Sequence, residues 1–485
     1  MRGEMRGVLA LLAMVLSACG GARTDGVMSA TEPVLTYRVA LEPSLRAMHV
    51  SMCSEGRLPA RFRAIHSAGA ERFVHAHVEH RDGSREALPG PILELRSRAD
   101  WAEVRCVHYE VQLISGGADP DAPLGFTDAV YAPTSSWLWG PEPRAEDARY
   151  RMELALPEGM RASAFFPREE DGFLTFGEAG FAFVTYAAFG DLDIIDVPAP
   201  GGCIQVAAIH GGPSREAITG WMTSASDAAS RALGRLPTDT VSVVALPIGA
   251  RTREGGDPLA FGMAAHGERG SMLAFMWSDA TEEALRQDWV AVHELTHLGH
   301  AFLGGESAWL TEGIATYYET ILRSRSGGVT PAMALARLDR GFRRGERGGT
   351  GRTLREESAA RHRTGAYDRV YWAGAAVAFA IDVALRAEGS SLDEAMERAY
   401  GLRRESVSDQ TLLLAMDGGT AGTATRIGLA WAEANAFPDL SAVYSALGVE
   451  RTDDGIAWTE VGQDLRNAML NASPVLASNP ATCRL

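Results

Sequence analysis

Lysine is absent from the 485-residue chain: all 46 basic side chains are arginine, set against 62 Asp and Glu, for a formal net charge of -16. With a pI near 5.3, such a surface argues against nucleic-acid binding, which needs a basic face, and against charge-driven docking on anionic lipid. An all-arginine set is most simply a codon bias of a GC-rich genome, and arginine keeps each positive charge that lysine would carry. Long hydrophobic runs are missing beyond the N-terminus. The most apolar later stretch, 372–381, is closed by Asp382 and Arg386 and reads as a buried helix, not a membrane span. There is no internal repeat, low-complexity tract or CxxC pair, which removes repeat architectures, whole-chain disorder and cysteine-held zinc. What is present, 46% hydrophobic and 22% charged residues, is the composition of a globular protein long enough for two or three domains.

Arg2 and Arg6 precede an apolar run at 8–16, too short to span a bilayer but right for a secretory h-region. It leads into Leu16-Ser17-Ala18-Cys19, which resembles a bacterial lipobox. That resemblance implies a lipoprotein signal peptide over 1–19, lipidation of Cys19, and membrane anchoring at the bacterial cell envelope. Gly20 fits an outer-membrane destination, on the periplasmic or surface side. Four further cysteines, Cys53, Cys106, Cys203 and Cys483, would then sit where disulfides persist. Three pairings are open to them, with Cys53–Cys106, inside one domain, preferred.

After a small polar linker over 20–33, segments 34–41, 72–79, 104–113 and 150–156 alternate apolar and polar residues as half-buried antiparallel strands do. Turn clusters at 116–120 and 198–202 punctuate them, and the second marks the end of an N-terminal antiparallel β domain over 34–200. From Ser214 the pattern changes to a helical stretch to about Gly234, a strand over 240–247, and long helices over 281–303 and 307–323. The fold class is therefore α+β, with a catalytic domain over 201–330 that carries its chemistry on helices, and a C-terminal helical segment over 331–485. The arginine- and glycine-rich stretch 340–369 reads as a solvated, loop-rich connection.

The informative string is His293-Glu294-Leu295-Thr296-His297, an HExxH motif. Residues four apart share one helix face, so both imidazoles can reach a single Zn2+ while Glu294 beside them holds a water as general base. A catalytic zinc needs a third protein ligand and an open fourth position. The next helix offers one in Trp309-Leu310-Thr311-Glu312-Gly313, where Glu312 is the candidate. Thr316, one turn on, is a candidate hydrogen-bond partner behind the ligands. His300, one turn after His297, reads as a polar surface residue.

HExxH followed by Trp-Leu-x-Glu-Gly resembles the gluzincin metallopeptidases, and the chain is most similar to their glycyl aminopeptidase family, with its β domain, thermolysin-like catalytic domain and helical segment. Leu233 to Pro247 and Thr350-Gly351-Arg352 are similar to further family stretches, as is the run from Val370-Tyr371-Trp372-Ala373-Gly374 to Ser391-Leu392-Asp393. The resemblance implies a zinc metallopeptidase acting on a peptide or protein, aminopeptidase-like, with Tyr371 donating to the oxyanion and Tyr367 as its backup. An endopeptidase and a degenerate metal-binding lipoprotein that binds a partner are the alternatives. It also implies that Ala264 and Ala265 belong to the substrate-binding stretch Gly262-Met263-Ala264-Ala265-His266. Three departures stand out. Ala265 occupies the position of the family's amine-binding Glu, for which Glu268 or Glu319 would have to substitute. Ala373 occupies that of a motif Lys, which implies altered substrate binding. No trailing PDZ module is expected.

Overall fold

Apolar residues at every second position of Leu35–Leu41 point inward, and the same alternation builds a seven-stranded sheet around them. In this computed structural model residues 35–483 are described, apart from short internal stretches of which 114–121 is the longest. The apolar run at 8–16, Cys19 and the linker lie outside the described residues, as does the turn cluster at 116–120. Across the sheet the strands run Leu174–Phe176, Tyr150–Ala155, Leu35–Leu41, Ala47–Cys53, Val104–Gln112, Phe73–His80 and Arg85–Leu88. All neighbours are antiparallel except Leu35–Leu41 and Tyr150–Ala155, which pair in parallel. Trp137, Trp139, Phe62 and Tyr150 fill the core beneath. Cys53 and Cys106 face each other across the ladder and are bonded. Cys203 and Cys483 form a second disulfide that ties the chain end to the next sheet.

That next sheet has five strands in the order Leu192–Ala199, Gly202–Ile209, Thr240–Pro247, Gly270–Met276 and Leu259–Ala265. The turn cluster at 198–202 is a hairpin inside this sheet, because Leu192–Ala199 pairs antiparallel with Gly202–Ile209. The central pairs are parallel, and the crossover between Gly202–Ile209 and Thr240–Pro247 is helix α1 (Arg215–Ser230), whose N-cap Ser214 accepts from Ala217 N–H. Leu259–Ala265 lies at the edge, antiparallel to its neighbour.

The helix expected over 281–303 is broken in two, Glu282–Arg286 and α2 (Val290–His297). Asp288 causes the break: its buried carboxylate accepts from Val290 N–H at 3.1 Å and Ala291 N–H at 2.9 Å, starting α2, and from Trp221 Nε1–H at 2.8 Å. α3 (Ala308–Arg325) follows. The stretch 340–369, expected as a loop, is mostly helical: it holds the end of α4 (Pro331–Arg347) and all of α5 (Leu354–Thr364). α5 opens on a capping box between Thr353 and Glu356. Two of the glycines that suggested a loop are packing contacts instead: a Cβ at Gly341 would overlap the Trp372 ring, and one at Gly345 would lie 2.8 Å from Trp372 Cβ. α6 (Tyr367–Ala387) contains the apolar stretch 372–381 and is mostly buried, although it is long and apolar enough to cross a membrane. One apolar core extends from Ile195 to Leu470, so the helices after residue 330 pack on the same core as the sheet.

Candidate active site

α2 carries His293, Glu294 and His297 on its buried face, and α3 crosses it to bring in Glu312. The three facing atoms form a small triangle. His293 Nε2 and His297 Nε2 are 3.1 Å apart, and Glu312 Oε2 lies 3.4 Å from the first and 3.5 Å from the second. A tetrahedral ion with ligands at about 2.0–2.1 Å requires ligand–ligand edges of about 3.3–3.4 Å, so two imidazoles and a carboxylate at these spacings fit zinc. The three residues form a cluster able to hold a metal ion.

Glu319, one helical stretch beyond Glu312 on α3, supports the cluster from behind. Its Oε2 is 2.8 Å from His293 Nδ1, and its Oε1 accepts from Arg337 on α4 at 3.1 Å. A proton on Nδ1 leaves the Nε2 lone pair aimed at the triangle, the tautomer a metal requires. Glu319→Gln is accordingly expected to weaken zinc binding about 10- to 100-fold. Competition with a chromophoric chelator measures this, and unchanged affinity would show that the carboxylate does not orient the ligand.

Glu294 lies beside the triangle, in the same cleft, with the edge strand against it. Burial raises its pKa against the lowering effect of His293 and His297. Gly262 makes this proximity possible: a Cβ there would sit 2.5 Å from Val290 Cγ1 and 3.2 Å from Glu294 Cγ, so only glycine lets the edge strand lie flush on α2. Glu312 is partly buried, and desolvation alone would raise its pKa, yet His297 and His293 outweigh that and hold it well below the usual range. Tyr371 on α6 stacks on His293 with ring centres 6.2 Å apart. Its pKa is raised, first by burial and then by Glu312 and Glu294. Together these groups line one cleft.

Compared by sequence, the chain matches no family model and no curated protein. Compared by structure, it is similar to an aminopeptidase N family protein from Idiomarina loihiensis, with a TM-score of 0.64 and 16% identity over 86% of this chain and 78% of that one. The two share a fold. A zinc metallopeptidase of the M1 group from Deinococcus radiodurans aligns over 84% of this chain and 95% of its own, at 17% identity and a TM-score of 0.48. In this chain the shared fold places a β domain ahead of the HExxH region and helices behind it.

Other expected positions fall differently within this aminopeptidase-like fold. Ala264 faces the cleft, whereas Ala265, next along the strand, packs on the opposite face against a cluster that includes Tyr186, Ile209 and Leu273. Ala373 is fully buried in the core of α6 and does not line the cleft. Glu319 is engaged with His293 and Arg337, and Glu268 accepts from Gly177 N–H at 2.6 Å, so both substitutes for an amine anchor are occupied. Thr316 Oγ1 has no hydrogen-bond partner among the described residues, and Glu319 takes the supporting role expected of it. Tyr367 lies outside the cleft, exposed, with its hydroxyl 3.0 Å from His362 Nδ1.

His300 corrects its reading as a surface residue: only 2% exposed, it lines the cleft with its ring centre 5.2 Å from that of His297. α2 ends at His297, and the chain turns back there, folding His300 inward instead of continuing a helix face. Burial lowers its pKa to about 3, and that of His266, a second cleft histidine that the sequence reading did not single out, to about 4. His266 follows the edge strand directly, two residues beyond the cleft-facing Ala264.

Proposed function

We propose that the chain is a zinc-dependent metallopeptidase, aminopeptidase-like by its fold, with Glu294 as general base. The observation that carries this reading is the zinc-sized triangle of His293, His297 and Glu312 with a buried, non-ligating carboxylate beside it. A structural zinc has four protein ligands and no use for such a base. Zinc held there would acidify a water and polarise the scissile carbonyl. Glu294 takes the proton from the attacking water and returns it to the leaving amine nitrogen. Tyr371 donates a hydrogen bond to the oxyanion. Arg337 and Glu319 fix the His293 ring throughout.

A second reading, endopeptidase action, is favoured by one observation. Among the described residues lining the cleft, the only carboxylate outside the catalytic set is exposed Asp257, while Arg361, His362, His266 and His300 also line it. A free amino terminus would meet few negative partners there. A peptide-mixture digest tests both readings. Cleavage is expected to stop with a chelator and return with zinc, and under the second reading amino-blocked peptides are cut at least as well as free ones. Preference for free amino termini would restore strict aminopeptidase action, and no chelator-sensitive cleavage of any peptide would favour a binding protein.

A further inference from the structure

Trp289 stands between the zinc-site cleft and a second hollow of about 860 Å3, and Asp257 also lines both. The Trp289 ring lies edge-on to His293, with centres 6.1 Å apart, and the Arg337 guanidinium sits 5.4 Å over it. One aromatic side chain thus separates the metal ligands from the second hollow.

Four arginines line that hollow: Arg251 after the central strand, Arg323 on α3, and Arg337 and Arg340 on α4. Asp257 is the one described acid among its lining residues. This concentrates positive charge in a chain whose net charge is -16. Arg323 is buried and gives one N–H to the Gln287 carbonyl at 2.8 Å. Its pKa is lowered, first by burial and then by Arg337. Arg337 uses one nitrogen on Glu319, and its Nε has no partner among the described residues. Thr320, fully buried on α3, lines the same hollow, and its hydroxyl likewise has no partner among the described residues. Unmatched donors and crowded guanidinium groups are a placement that a carboxylate relieves, through charge-assisted hydrogen bonds to a planar fork.

The edge strand Leu259–Ala265 begins beside Pro258, which lines the hollow. A peptide paired along that strand advances about 3.3 Å per residue and turns alternate side chains to one face. A peptide so placed would present one side chain near the scissile bond to the side of the cleft that Trp289 and Asp257 share with the second hollow.

We propose that the second hollow is a specificity subsite for an acidic side chain of the peptide, with Arg323, Arg337 and Arg340 holding the carboxylate and Thr320 donating its hydroxyl. The subsite takes its substrate class from the metallopeptidase reading, but binding alone can test it. The test uses the zinc-loaded full chain and internally quenched peptides that carry Glu, Gln or Lys at one position at a time on either side of the scissile bond. At one position Glu is expected to exceed Gln in kcat/KM by about 10- to 100-fold, with Lys poorest. Arg340→Gln, at an exposed position, should bring the Glu-to-Gln ratio close to one, and added salt should shrink it in the parent chain. The same peptides are then bound, without turnover, to zinc-loaded Glu294→Gln and followed by fluorescence anisotropy. Cleavage or binding with no Glu preference at any position overturns the subsite and leaves the peptidase reading intact. No cleavage, but tighter Glu-peptide binding that Arg340→Gln removes, overturns the peptidase reading and keeps the subsite.

Discussion

Replacing Glu294 by glutamine is expected to lower turnover at least about a hundredfold while zinc content stays at that of the parent chain. The two effects separate because Glu294 lies outside the ligand triangle of His293, His297 and Glu312. Its carboxylate is buried and accepts from the Ala264 backbone N–H. A glutamine Oε1 can accept that same bond in nearly the same volume, so edge strand and α2 keep their contact. What the amide cannot do is take a proton from water and hand it to the leaving nitrogen. His293→Ala provides the contrast, since it removes a ligand and should lose metal and turnover together. The measurement pairs metal analysis with kcat/KM on one peptide. Undiminished turnover in Glu294→Gln would sink the assignment, and loss of zinc would mean that Glu294 belongs to the ligand set.

The triangle was legible because its logic is local. An i, i+4 spacing aligns His293 and His297 whatever the rest of the chain does, and the need for a third ligand led to Glu312 on the next helix. Alternation likewise located the strands at Leu35–Leu41 and Val104–Gln112, since period two depends only on which face is buried. What failed were inferences about where one element ends and what it meets. Asp288 starts α2 with its side chain, so the helical window at 281–303 concealed a break. That break's counterpart after His297 is what turns His300 inward. The arginines and glycines of 340–369 suggested solvent because composition alone cannot reveal that Gly341 faces Trp372, thirty-one residues on in sequence. The burial of Ala373 was hidden in the same way: a family pattern gives a position, but its exposure is set by how α6 packs.

Gly374→Ala is expected to destabilise the chain by about 3 kcal/mol or more and to loosen the metal site as well. α3 and α6 cross at a pair of glycines. A Cβ at Gly374 would overlap the Trp309 carbonyl oxygen and lie 2.8 Å from Gly313 Cα, and one at Gly313 would overlap the Gly374 backbone. These neighbours are main-chain atoms that cannot rotate away, so a methyl group must push the helices apart. The cost extends to the chemistry because the contact adjoins both sides of the site. Glu312 immediately precedes Gly313 on α3, and Tyr371 lies one turn before Gly374 on α6. Separation of the helices would therefore draw Glu312 away from the two histidines, with Tyr371 moving off on the other side. Gly401→Ala is the matched control, because nothing lies within 4 Å of a Cβ there. Urea unfolding followed by tryptophan fluorescence should give a lower midpoint for Gly374→Ala and almost none of that change for Gly401→Ala, with zinc affinity falling only in the first. If the two variants behave alike, the helices do not cross as closely as described, and the glycine after Glu312 owes its place to something other than the approach of α6.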